Sequence, residues 1–248
     1  MRLKLLSCEI LYREFCAAIA RSPNVVDVEF LTKGLHDVGS EGMLERLQAA
    51  VDHVGPGYDA VLMGYGLCNN GLAGLTARQI RLVAPRAHDC ITLFLGSKER
   101  YLDYFQSNPG VFYETTGWLE RGEGDGELSQ LALGKKLGMA RSYEEFVAKY
   151  GEDNAGYLWE ELGNLTRHYS KIAFIEMGIE PDPSFERRAR EKAQAQGLKF
   201  EKLIGDMRLF QRLVDGAWDD REFLIVPPGW RITAHYNAGI ITAEKANP

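Results

Sequence analysis

The chain has 248 residues, 45% hydrophobic and 26% charged, with a formal net charge of −6. That length allows one large domain or two small ones closely packed. Its mild acidity, with Lys and Arg mixed among Asp and Glu throughout, argues against nucleic-acid or anionic-membrane binding, which needs a basic stripe. No apolar run approaches the ~20 residues that span a bilayer, and Met1-Arg-Leu-Lys-Leu-Leu-Ser is too short in its apolar part for a signal peptide. A soluble, cytoplasmic protein is expected, and in that reducing compartment its cysteines read as free thiols or ligands rather than disulfides.

Along the chain, short apolar runs alternate with amphipathic stretches. Leu3 to Ser7 reads as a strand, and Glu9 to Arg21 as a helix with Ile10, Leu11, Phe15, Ala18 and Ile19 on one face. Val25 to Leu31 is a second strand, closed by Lys33-Gly34, and Gly42 to Val54 a second helix ended by Gly55-Pro-Gly. Ala60 to Gly64 is a third, wholly apolar strand that runs into the turn-rich Tyr65-Gly-Leu-Cys-Asn-Asn-Gly. A helix is expected over Leu72 to Gln79, a fourth strand over Arg81 to Pro85, and a fifth ending near Tyr113. Arg121 to Gly138, rich in Gly and acidic residues, reads as a surface excursion, and Tyr143 to Arg167 as helical. A second alternation follows: strand Lys171 to Glu176, helix Pro183 to Gln196, strand Lys199 to Ile204, helix Arg208 to Asp215 and strand Phe223 to Val226, then Pro227-Pro-Gly.

Apolar strands separated by helices indicate buried parallel sheets. The expected fold is α/β: two Rossmann-like lobes with mostly parallel sheets and a cleft between them. Residues 1–121 would form the N-terminal lobe with the cysteines, 122–170 a helical excursion and linker, and 171–248 the C-terminal lobe. In such sheets ligands gather outside the carboxyl ends of the strands.

Three cysteines fall at those ends: Cys8 after the first strand, Cys68 in the turn after the third, and Cys90 after the fourth. Asp89 is placed to cap a short helix beginning at Ile91. Partial positive charge at helix N-termini favours the thiolate at Cys8 and Cys90. Three converging thiolates suit a zinc ion with an open position or an iron–sulfur cluster with one free iron. His88 and Glu9 are candidates for a fourth ligand or a proton carrier. The competing reading is that the cysteines are small buried hydrophobes, as free Cys often is. Cys16, inside the first helix, reads as core. Asn69 and Asn70 offer amide donors and acceptors beside Cys68, though Asn also serves simple turns. Arg86 suits a carboxylate or phosphate, and Lys98, at a helix start capped by Ser97, suits an anion; each could equally serve a surface contact. Glu114, Trp118, Arg167 and His168 are weaker cleft candidates. Dinucleotide, P-loop, nucleophile-elbow and His-Glu-x-x-His motifs are absent from the sequence.

Leu6-Ser-Cys-Glu-Ile-Leu-Tyr-Arg-Glu, Gly64-Tyr-Gly-Leu-Cys-Asn-Asn-Gly and Arg86-Ala-His-Asp-Cys-Ile-Thr-Leu-Phe-Leu-Gly-Ser-Lys-Glu-Arg-Tyr resemble blocks of the domain-of-unknown-function family 1638. Thr116-Gly-Trp-Leu-Glu and the late Pro-Pro-Gly extend the resemblance. It implies a bacterial or archaeal protein whose genes lie near corrinoid proteins and corrinoid-dependent methyltransferases, hence a link to one-carbon metabolism. The leading expectation is a metal-dependent enzyme, a methyl-transfer enzyme among the options, acting on a small polar or anionic molecule. Cys8, Cys68 and Cys90 would hold zinc or an iron–sulfur cluster, with a corrinoid supplied by a partner. One rival is a non-catalytic accessory that handles a corrinoid or metal and docks on a corrinoid protein or methyltransferase. The other is a metal-free enzyme with Cys68 or Cys90 as nucleophile.

Overall fold

The computed structural model describes residues 1–68, 70–121, 147, 151–152, 169–235 and 239–246. Its main sheet is built from β1 (Arg2–Cys8), β2 (Val25–Leu31), β3 (Ala60–Gly64) and β4 (Leu82–Pro85). The four run parallel in the order β2-β1-β3-β4. Every residue of β3 and β4 is buried, which is why neither shows the polar alternation of a half-exposed strand. Between β1 and β2 the chain passes through a 3-10 turn (Glu9–Leu11) and α1 (Tyr12–Ile19). Between β2 and β3 it passes through a 3-10 helix (Lys33–Asp37) and α2 (Gly39–Asp52).

After β4 come α3 (Cys90–Leu95), α4 (Lys98–Ser107), β5 (Val111–Glu114) and α5 (Thr116–Arg121). Then follow β6 (Lys171–Glu176), α6 (Ser184–Ala195), β7 (Lys199–Ile204), α7 (Arg208–Asp215) and β8 (Phe223–Val226). The chain's fold is thus mixed α/β with a mostly parallel central sheet. A second parallel sheet has the order β5-β6-β7, with α6 packed on β6 and β7. Strand membership crosses the expected lobe limits in both directions. β5, from the first expected lobe, pairs with β6, and β8, from the second, closes the main sheet antiparallel to β4. Packing of α1, α3 and α7 knits the elements together: Phe210 of α7 meets Phe15 at 5.1 Å and Phe94 at 5.7 Å between ring centres.

Two local expectations are corrected. Leu72 to Gln79 is not a helix. Its backbone pairs with β9 (Trp230–Ala234), through Gly74 N–H to Ile232 O at 2.7 Å and Ala77 N–H to Trp230 O at 2.8 Å. Those bonds compete for the groups a helix would use internally. β9 in turn forms an antiparallel hairpin with β10 (Ile241–Lys245), which the Pro-Pro-Gly turn precedes. Cys16 is exposed, because the inward face of α1 is Glu14, Phe15 and Ala18.

Glu14 is therefore the buried polar residue of α1. Both carboxylate oxygens lack a hydrogen-bond partner among the described residues. Desolvation raises its pKa to about 8, with Glu180 and Glu120 adding repulsion and Arg13 opposing it. A carboxyl raised in the folded state adds stability that is complete below the unfolded value near 4.5 and is lost as pH rises through about 8. Glu14→Gln should remove that loss. Denaturant unfolding at pH 8 should show the variant equal to or more stable than the parent, by on the order of 1–2 kcal/mol. An unchanged pH dependence would count against the buried-acid assignment.

Candidate functional site

Parallel pairing brings the carboxyl ends of β1, β2, β3 and β4 to one edge. Cys8 is the last residue of β1, Cys68 lies in the loop after β3, and Cys90 opens α3 after β4. The loops after β3 and β4 continue the strand pairing beyond the sheet: Leu67 N–H donates to Ala87 O at 2.8 Å, and Cys68 N–H to His88 O at 2.9 Å. Gly66 permits this approach, since a Cβ there would stand 2.7 Å from the Asp89 backbone. Cys68 (φ 44°) and Asn70 (φ 64°) occupy the left-handed region, which costs a non-glycine residue about 1–2 kcal/mol. The turn holds them there through Gly71 N–H to Cys68 O and Ala73 N–H to Asn70 O. Asp89 caps α3 as expected, its Oδ1 accepting from the N–H of Ile91 at 3.0 Å and of Thr92 at 3.3 Å. Its Oδ2 accepts from the Tyr101 hydroxyl at 2.9 Å.

The thiols sit within electrostatic range of one another. Burial pushes Cys8 up to about 12. It also pushes Cys68 and Cys90 well above their ordinary values, with Asp89 and Cys8 adding repulsion at both and Cys68 adding it at Cys90. Partial charge at a helix start does not produce thiolates here; desolvation outweighs it, which corrects the expectation for Cys8 and Cys90. Neighbouring donors oppose that shift. Backbone N–H groups of Gly66 and Cys90 favour a charged Cys68, that of Ile10 a charged Cys8, and the Trp118 side chain a charged Cys90.

His36, in the 3-10 helix after β2, was absent from the sequence-derived set. Its Nε2 lies 3.6 Å from Cys8 Sγ, and its ring is flanked by Tyr65 and Trp118 at 6.5 and 6.4 Å. Burial shifts the imidazole below its ordinary pKa. The rule that drew attention to the cysteines, ligand groups at carboxyl ends of parallel strands, also covers Leu35-His36-Asp37 after β2. The buried Tyr65 hydroxyl has no partner among the described residues, and its phenol is pushed well above its ordinary pKa, first by burial and then by Cys8 and Cys68.

A cavity of about 1110 Å³ opens over this edge, slightly larger than the usual small-molecule site. His36, Cys68, His88, Asp89 and Cys90 line it from the main sheet. Phe112, Tyr113, Glu114 and Trp118 line it from β5 and α5, and Arg188, Glu191 and Lys192 from α6. Lys192 pairs with the buried Glu114, and Arg188 Nη2 donates to Leu119 O at 2.9 Å. His88 is exposed at the cavity wall, its ring 6.3 Å from that of Tyr101.

Other candidates are placed elsewhere. Glu9 accepts the Lys33 N–H at 2.9 Å and pairs with Arg121 at 3.0 Å, tying the start of the 3-10 helix after β2 to α5. Arg86 donates to the carbonyls of Asp220 (2.8 Å), Gly239 (2.9 Å) and Ile241, clasping the C-terminal hairpin. Lys98 Nζ donates to Arg221 O at 3.1 Å. Asn70 is exposed and does not line the cavity. Asn69, Arg167 and His168 lie outside the described residues. Among the described residues, no group of three or more His, Cys, Asp or Glu side chains is drawn together to hold a metal ion. None of the described helices is long and apolar enough to cross a membrane.

Residues 30–214 match the model of the family described as "Protein of unknown function (DUF1638)". The chain belongs to this family. The matched segment contains His36, Cys68 and Cys90 and begins after Cys8. No curated protein and no solved structure matches the chain.

Two outcomes follow from this geometry. In native, metal-free protein at pH 7, iodoacetamide should label Cys16 at least about tenfold faster than Cys8, Cys68 or Cys90, which are buried and protonated; mass spectrometry of the labelled peptides reads this directly. Arg86→Ala should lower stability by about 2–3 kcal/mol in denaturant unfolding, because carbonyls of the C-terminal segment lose a charged donor.

Proposed function

We propose that this protein is a metal-dependent enzyme that acts on a small polar or anionic molecule in the cavity between two α/β lobes. Its centre would be held by Cys8, Cys68 and Cys90. The observation that carries this reading is that three buried thiols stand at the carboxyl ends of three parallel strands, on one edge of the sheet. The buried hydroxyls of Tyr65 and Tyr113, which have no partner among the described residues, flank the same region; such groups cost about 1–3 kcal/mol unless something else satisfies them.

The donor set suits a thiophilic metal. Because these residues are not drawn together for a single ion, an iron–sulfur cluster, which spreads its thiolates over separate irons, fits better than one zinc. Such a centre, when bound, would supply Lewis-acid or redox chemistry at the cavity wall. The chain's own residues would do the rest. Arg188 and Lys192 offer cationic groups to an anionic substrate from the opposite wall, and His88 or Asp89 a site for proton transfer. The aromatic side chains of β5 and α5 limit water. Methyl transfer in corrinoid-linked one-carbon metabolism, which the resemblance to this family implies, is the reaction class to test first. A metal-free cysteine nucleophile, Cys68 or Cys90, fits less well, since burial pushes both thiols well above their ordinary pKa and favours the unreactive neutral form.

The test is anaerobic purification, followed by metal and sulfide analysis and a visible spectrum. The same measurements are made on a Cys8→Ser, Cys68→Ser, Cys90→Ser variant. Iron, sulfide and absorbance near 400 nm that are lost in the variant are the expected result. Stoichiometric zinc in a colourless protein would keep the metal reading and reject the cluster. No metal in either protein would overturn the proposal.

A further inference from the structure

Among the described residues, the cavity wall carries five charged side chains besides its two histidines: Asp89, Glu114, Arg188, Glu191 and Lys192. Three of them are committed to the frame. Asp89 caps α3 and accepts the Tyr101 hydroxyl, and the buried Glu114 pairs with Lys192. Two remain, one of each sign. Arg188 is tied through Nη2 to Leu119 O at 2.9 Å, a neutral acceptor that leaves its charge uncancelled. Glu191 is exposed and makes no hydrogen bond or ion pair among the described residues.

Both groups stand on one face of α6. Arg188, Glu191 and Lys192, spaced i, i+3 and i+4, line the cavity, while Phe185, Ala189 and Ala193 bury the neighbouring face. Phe112, Tyr113, Trp118 and Tyr169 add an aromatic surface, with Tyr169 edge-on to Phe112 at 5.3 Å between ring centres. A phosphate or a dicarboxylate would bring two negative charges among three carboxylates. An amine alone would leave Arg188 unpaired. One carboxylate and one ammonium on the same molecule match what the wall leaves over.

We propose that the cavity takes a zwitterion of the amino-acid class, with its carboxylate on Arg188, its ammonium on Glu191 and an apolar or aromatic body against Phe112 and Trp118. This names the substrate class for the cavity reading above and needs no metal. A guanidinium holds a carboxylate through paired N–H donors, and a carboxylate accepts from an ammonium. Because the two side chains lie three positions apart on one helix, a single small molecule can meet both. Lys192, one position further, adds a second donor to the carboxylate end, and the size of the cavity leaves room for the body.

The experiment is calorimetry on the full chain with L-tryptophan, indole-3-propionate, tryptamine and inorganic phosphate, and with L-leucine to vary the body. Tryptophan should bind at least about tenfold tighter than the propionate, tryptamine or phosphate. Arg188→Gln should bring tryptophan down to the affinity of tryptamine and leave tryptamine itself unchanged. Glu191→Gln should bring tryptophan down to the affinity of indole-3-propionate. Both positions are exposed, so both variants should fold, which circular dichroism checks. Three results overturn the zwitterion: a single-charge probe or phosphate that binds as tightly as tryptophan, tryptophan binding that both variants retain, or no binding of either amino acid. Metal analysis of the same samples keeps the two readings apart. Tryptophan binding of this pattern in a metal-free protein overturns the metal centre alone, and a metal-loaded protein that binds neither amino acid overturns the zwitterion alone.

Discussion

Parallel hydrogen bonding between β1, β3 and β4 is the constraint on which the site depends. It is continuous from Leu3 against Ala60 to Ser7 against Gly64, and from Val61 against Leu82 to Leu62 against Val83. A parallel pair needs a long crossover, so every strand must enter at one edge and leave at the other. The residues that follow the strands are thereby gathered whatever their separation in sequence. Eighty-two positions separate Cys8 from Cys90, yet the Cys8 thiol adds electrostatic repulsion at Cys90.

Close approach of two loops then refines that gathering. The loop after β3 hydrogen-bonds to the loop after β4, and Gly66 lies against the Asp89 backbone with no room for a side chain. This sets Cys68 and Cys90 side by side and holds Cys68 in a backbone conformation that L residues seldom adopt. Asp89 joins both tasks, capping α3 and accepting the Tyr101 hydroxyl at the cavity wall. On the far side, α5 presses so closely on the turn after β1 that a Cβ at Gly117 would collide with the Ile10 carbonyl. Trp118, the next residue, is thereby brought to His36 and Cys90.

Charged residues divide between building the frame and facing the cavity. Arg86 and Lys98 bind backbone carbonyls of the C-terminal segment, and Glu9 bridges the start of the 3-10 helix and α5. Read from their neighbours in sequence, Arg86 and Lys98 had the chemistry of a substrate contact and Glu9 that of a ligand or proton carrier. Arg188 and Lys192 lie on a helix whose sequence is rich in charge and resembles a solvated face, but that helix forms the opposite wall of the cavity. Residue type set what these groups can do, and packing set which of them meet the cavity.

By itself the sequence determined the strands β1 to β8, most of their helices and the position of three cysteines at or beyond strand ends. Those features follow from local apolar periodicity and from turn residues, which act over a few positions. Only the tertiary structure decided that Leu72 to Gln79 is extended, since Trp230 and Ile232 take its hydrogen bonds. Tertiary structure also decided that β8 closes the first sheet while β5 opens the second, because pairing partners carry no local signal. The state of the thiols was decided in the same way. Helix position alone favours thiolates, but burial, which depends on everything packed above the sheet edge, leaves them neutral in the absence of a countercharge.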